Sequence, residues 1–194
     1  MTDKAHYWAF LSYSHQDADF ADWIFDELDS FRVPRNLRKP GMGAHLRPIF
    51  RDREELAASA DLNGRIKEAM QGSDALVVLC SPNAATSQWV NAEIKLFKLL
   101  GKMDRIFPLI VAGEPNAYYV CGSSEDECFP PALRYTITET GEMTTQPDRA
   151  FVAADARLDK DGKENAKLKI IAGLLGVGMG DLRRARSRFG NLFG

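Results

Sequence analysis

The feature that most constrains this chain is an alternation: short apolar runs of strand length take turns with longer segments whose apolar residues recur every three or four positions. That order is the one a parallel sheet wrapped by helices requires. Trp8-Ala9-Phe10-Leu11-Ser12-Tyr13 opens the series, and Phe20, Ile24, Leu28 and Phe31 follow at helical spacing, with Ser14 or Asp17 as the cap. After a basic connection rich in Pro and Gly, Leu46-Arg47-Pro48-Ile49-Phe50 reads as a second strand. Pro48 places it near an edge, because proline cannot donate to a ladder.

A polar loop over 51–60 leads to a segment with Leu62, Ile66, Ala69 and Met70 on one face, ending at Gly72-Ser73. Ala75-Leu76-Val77-Val78-Leu79-Cys80 is nearly uninterrupted apolar sequence, as a strand covered on both faces must be, so it is the central one. Ser87 to Leu100 is helical by the spacing of Val90, Ile94, Phe97 and Leu100, and Gly101 ends it before a fourth strand, Arg105 to Val111. From Gly113 to Thr145 the periodicity fails, which predicts a long connection. Phe151-Val152-Ala153-Ala154 is the fifth strand candidate, and a final helix covers Asn165 to Leu175. Neither repeats nor low-complexity tracts interrupt the series.

Composition narrows the classes. A chain of 194 residues, 45% hydrophobic and 27% charged, has the size of one ordinary domain. With 25 Lys+Arg against 27 Asp+Glu there is no global electrostatic reason to expect nucleic acid or an anionic membrane as partner. Arg183, Arg184, Arg186 and Arg188 are the local exception, a solvated face or the start of a linker toward a sensor or membrane region. The division expected is therefore a folded domain over 1–180, with 113–145 as its connection or insertion, and a basic tail over 181–194. Cys80, Cys121 and Cys128 are an odd number without the close pairs of zinc sites, which disfavours a disulfide scaffold or a metal. The polar start, and the lack of any apolar run near eighteen residues, suggest a cytoplasmic setting.

The candidate chemistry follows the central strand. Ser87 can cap the helix it precedes, and Trp89 and Glu93 lie four apart on one helical face, a planar ring one turn before a carboxylate. Taken alone, a helical tryptophan is ordinarily packing and a glutamate ordinarily a solvated charge. The glycines from Gly173 to Gly180 follow a helix instead of a strand, so they read as a helix end and not as a dinucleotide loop. A phosphoacceptor regulator would need acidic residues after the first strand and an aspartate after the third, where Ser12-Tyr13-Ser14 and Cys80-Ser81 stand.

Three segments, Phe10-Leu11-Ser12-Tyr13-Ser14, Arg51-Asp52-Arg53-Glu54-Glu55-Leu56 and Ser87-Gln88-Trp89-Val90-Asn91-Ala92-Glu93-Ile94, resemble in order the boxes of Toll/interleukin-1 receptor (TIR) domains, in a bacterial NAD-cleaving subgroup. The resemblance covers positions 7 to 112. It implies a flavodoxin-like α/β fold with a central parallel five-stranded sheet in order 2-1-3-4-5, flanked by helices on both faces. It also implies that the loop over 51–60 is the family's BB loop, which mediates contacts between TIR domains. That loop departs from the usual pattern, reading Ala57-Ala58-Ser59-Ala60 where Pro-Gly is common, and no Cys follows Trp89.

By the same resemblance the chain is an NAD+ glycohydrolase that splits the nicotinamide-ribose bond. Glu93 would be catalytic, and Ser12, Tyr13, Ser14, Arg51, Asp52, Ser87 and Trp89 would line the substrate pocket. NAD+ would be substrate with no separate cofactor, the product linear or cyclic ADP-ribose, and the trigger self-association in bacterial antiviral defence. The rival reading is a non-catalytic TIR scaffold that signals by TIR–TIR contact.

Overall fold

The computed structural model describes residues 6–51 and 60–190. The first apolar run becomes β1 (Ala9–Ser12), all four residues of which are buried, so it must lie inside a sheet. A short 3-10 turn leads to α1 (Ala18–Asp29), which buries Ala21, Ile24 and Leu28 along one stripe. Neither Ser14 nor Asp17 makes the expected side-chain cap, because the turn at His15–Asp17 comes between them and the helix proper. The chain continues through β2 (Ile49–Arg51), α2 (Ala60–Gly72), the wholly buried β3 (Leu76–Cys80), the short α3 (Pro82–Thr86), α4 (Gln88–Leu99) and β4 (Ile106–Ile110). Asp52 and most of the loop over 51–60 lie outside the described residues, as do positions 191–194.

The stretch expected as a featureless connection carries α5 (Ala117–Cys121), α6 (Pro131–Arg134) and an antiparallel hairpin of β5 (Tyr135–Ile137) and β6 (Met143–Pro147). Polar contacts organise its first half, which is why hydrophobic periodicity does not reveal it: the buried Glu127 carboxylate accepts the backbone N–H groups of Asn116, Ala117 and Phe129 at 2.9–3.1 Å. The fifth strand of the main sheet is β7 (Ala154–Asp155), displaced toward the C-terminus from the expected run, whose Val152 is 91% exposed. All pairings in the main sheet are parallel, in the order β2-β1-β3-β4-β7. With β7 in fifth place this is the 2-1-3-4-5 order of a flavodoxin-like fold, and β2 lies at the edge, as Pro48 implies.

Strand alternation divides the core into two faces. Leu11, Val77, Leu79 and Leu109 pack with α1 and with the helices that close the chain, α7 (Gly162–Leu175) and α8 (Met179–Gly190). Phe10, Leu76, Val78, Cys80 and Ile110 pack on the other side against Met70 of α2, Val90, Ile94 and Phe97 of α4, and Leu133 of α6. Gly173 lets α7 approach the sheet: a Cβ there would sit 2.7 Å from the Phe107 ring. Gly176, at φ 69°, ends α7 in the left-handed conformation, so the glycine-rich stretch is a helix terminus. Leu182 and Ala185 of α8 are buried on the core, while Arg183, Arg184, Arg186 and Arg188 are exposed.

Candidate active site

In the order β2-β1-β3 the chain direction of travel reverses between β1 and β3, and such switch points open a crevice at the carboxyl ends of the strands. Ser12 is the last residue of β1, in register with Val78 of β3, and 1% exposed. Its hydroxyl donates to the Glu93 carboxylate, delivered by α4 on the far side of the crevice. Residues 81 apart in sequence thus meet where a flavodoxin-like sheet places its ligands.

The geometry of α4 explains how Glu93 gets there. Ser87 is the N-cap, its Oγ accepting the Val90 N–H at 3.3 Å. The helix then buries Val90, Ile94 and Phe97, which fixes its rotation and turns the Trp89 and Glu93 face toward the rim. Glu93 is half-buried, whereas Trp89 is 58% exposed, a large planar surface open to solvent one turn before the carboxylate. Asn91 adds a tie from the other side, its Oδ1 accepting the Ala132 N–H at 2.8 Å.

Tyr13 and Arg51 also meet. Arg51 Nε donates to the Tyr13 hydroxyl at 3.1 Å, its guanidinium lies 5.1 Å from the Tyr13 ring centroid, and it forms an ion pair with Asp22 of α1. Burial works against the Arg51 charge, but the bonds to Tyr13 and Asp22 outweigh it and hold the guanidinium above its ordinary range. Ser14 is buried, and its carbonyl accepts the Asp17 N–H at 2.8 Å.

Asp17 is the rim residue that sequence reasoning placed in another role. Instead of capping α1, its carboxylate accepts Ser81 Oγ at 2.5 Å and Asn83 Nδ2 at 3.0 Å, joining the loop after β1 to the loop after β3. The topology could have pointed to it, since both loops leave the same end of neighbouring strands. Thus Ser12 and Glu93 form one contact pair, Tyr13 and Arg51 another, and Ser87 acts at the start of the helix that carries Trp89 and Glu93.

Among known proteins, the chain is similar to the NAD(+) hydrolase ApTIR of Actinoplanes sp., with 34% identity over 182 residues, 91% of this chain. It spans only about a quarter of that relative's length. Among solved structures, it is similar to the TIR domains of the activated Roq1 resistosome recognising the pathogen effector XopQ, at 23% identity and a TM-score of 0.40, covering 59% of this chain and 67% of that one. The family model of the TIR domain matches residues 9–124, more than half of the sequence, and the chain belongs to the TIR domain family.

Proposed function

We propose that this chain is an NAD+ glycohydrolase, with Glu93 as its catalytic carboxylate. The observation that carries the reading is the Ser12–Glu93 pair at the switch-point crevice, beside the exposed ring of Trp89. The similarity to a bacterial protein named as an NAD(+) hydrolase supports the same chemistry.

The reaction suits a single carboxylate. When the nicotinamide-ribose bond breaks, its electron pair returns to the pyridinium nitrogen, so the leaving group departs neutral and needs no general acid. Positive charge develops instead on the ribose C1′ and ring oxygen, and a fixed carboxylate stabilises it there, as carboxylates do in glycosidases. Water then bonds to C1′ and loses a proton, giving ADP-ribose. An internal nucleophile of the same substrate in place of water gives a cyclic isomer. Trp89 would flank the nicotinamide, with Tyr13, Ser14, Arg51 and Asp52 around the remainder of the pocket and Ser87 at its helical edge.

The chain would act in the cytoplasm as the effector module of a longer protein, switched on in antiviral defence when copies associate through TIR–TIR contacts. Among the described residues no helix is long and apolar enough to cross a membrane. The test is nicotinamide release from NAD+ by the purified chain across a range of protein concentrations. Glu93→Ala should lower the rate at least about a hundredfold, on the scale of losing a main electrostatic stabiliser. An unchanged rate removes Glu93 from the mechanism. Absence of turnover by the parent chain at every concentration leaves the scaffold reading.

A further inference from the structure

We infer that Ser12 is the positioning residue of the Glu93 carboxylate, holding it at the carboxyl end of β1, and is not a substrate contact. The inference rests on the reading of Glu93 above only where turnover is concerned. The pairing itself is structural.

Three observations carry it. Ser12 is 1% exposed, so its hydroxyl has little surface left to offer a ligand. Its backbone belongs to β1, which is laddered to β2 on one side and β3 on the other, so the donor stands on the least movable part of the fold. The hydroxyl donates directly from the end of β1 to the Glu93 carboxylate on α4. A hydrogen bond to an ionised acceptor is stronger than one between neutral groups, and it favours the charged form of the acid it serves. The bond ties the half-buried Glu93 side chain to the frame of the sheet. A neutral acid could not stabilise a developing cation.

Among the described residues, the ion pairs and side-chain bonds around the pair are made with partners other than Ser12. Tyr13 and Arg51 hold each other and Asp22, Asp17 is held by Ser81 and Asn83, and Arg134 of α6 faces Glu127. On α4 itself, Lys98 pairs with Asp148, and Lys95 is only two residues from Glu93, hence on a different face. Cys80, at the end of β3, is buried and its thiol is pushed up by that burial, so it carries no charge near neutral pH. Among the described residues, removing the Ser12 hydroxyl therefore changes the setting of Glu93 without breaking an ion pair.

The experiment follows the side-chain carboxyl carbon of Glu93 by NMR in protein labelled at glutamate, assigned by its loss in Glu93→Gln, and titrates it in the parent chain, Ser12→Ala and Ser12→Cys. Ser12→Ala should raise the midpoint by about one pH unit, and Ser12→Cys, which keeps the volume with a weaker donor, by less. An unchanged midpoint in both variants overturns the inference whether or not the protein turns over NAD+. In the turnover assay the acid limb of kcat should move upward with the carboxyl midpoint while KM stays within about twofold, whereas a substrate contact would move KM. A shifted midpoint without nicotinamide release by the parent chain keeps the positioning role and removes the hydrolase reading. Release with an unmoved midpoint does the reverse.

Discussion

At Ser87 a single oxygen caps the helix that carries Trp89 and Glu93. The Val90 N–H is one of the donors that the first turn of α4 cannot satisfy internally, and Ser87 Oγ accepts it. Ser87→Ala should lower the unfolding free energy by about 1 kcal/mol in urea titrations, and Ser87→Asn should restore most of it, because asparagine caps comparably. The cysteines make a second residue-scale case. Burial, with the Glu127 charge second, pushes the Cys128 thiol up to about 12, and burial alone dominates at Cys80, which is raised well above its ordinary value. Since the thiolate is the reactive form, both should resist iodoacetamide at neutral pH in the native protein and react on unfolding. Peptide mapping by mass spectrometry distinguishes them from Cys121, and modification of either at the rate of a free thiol would contradict the packing.

Among the elements, α4 is the one whose placement decides the site, and it is gripped along its length by the segment that hydrophobic periodicity leaves blank. Asn91 takes the Ala132 N–H, and Lys98, buried at the other end, donates to the Tyr135 carbonyl at 3.1 Å and pairs with Asp148 at 2.7 Å. Both side chains of that pair are almost fully buried, 3% and 6% exposed. Asp148→Ala would strand the Lys98 ammonium away from water, and should cost about 3–5 kcal/mol of unfolding free energy. Lys98→Met combined with Asp148→Leu removes both charges and should recover most of that loss, as measured by equilibrium denaturation. If the single and double variants are equally unstable, the deficit comes from packing and not from the stranded charge. Beside the burial of Ala132 and Leu133, isolated polar ties of this kind hold α6 and the β5–β6 hairpin, and periodicity of 2 or 3.6 registers only apolar faces.

Across the whole molecule, the centre of the parallel sheet was legible because β1, β3 and β4 are apolar on both faces, and the edge position of β2 because Pro48, just before it, has no N–H to donate. The site was legible only in part. Trp89 and Glu93 share a face by spacing alone, but Ser12 reaches Glu93 across 81 positions, and no local pattern links them. The resemblance to TIR boxes assigns both residues to one pocket without the contact between them, and the Asp17 tie between loops joins positions that no local pattern relates. The same distance from local pattern marks the clasp that closes the far edge of the sheet. Arg157 donates to the Gly113 carbonyl at 2.7 Å and to Glu114 at 2.6 Å after β4, and it grips Asp155 of β7 through both carboxylate oxygens. Burial alone would raise the Asp155 carboxyl, but the Arg157 bonds outweigh it and hold the group below its ordinary range. An acid whose native value is depressed stabilises the fold fully above its unfolded value, about 3.9 for aspartate, and loses that contribution as pH falls through the native value. Unfolding free energy should therefore decline below about pH 4 more steeply in the parent chain than in Asp155→Asn, which cannot bind the extra proton. At neutral pH the variant should be the less stable of the two, and the curves should converge in acid. Parallel curves across that window would show that the clasp contributes no proton-linked stability, and that β7 is held to β4 by the backbone ladder and the packing of α7 alone.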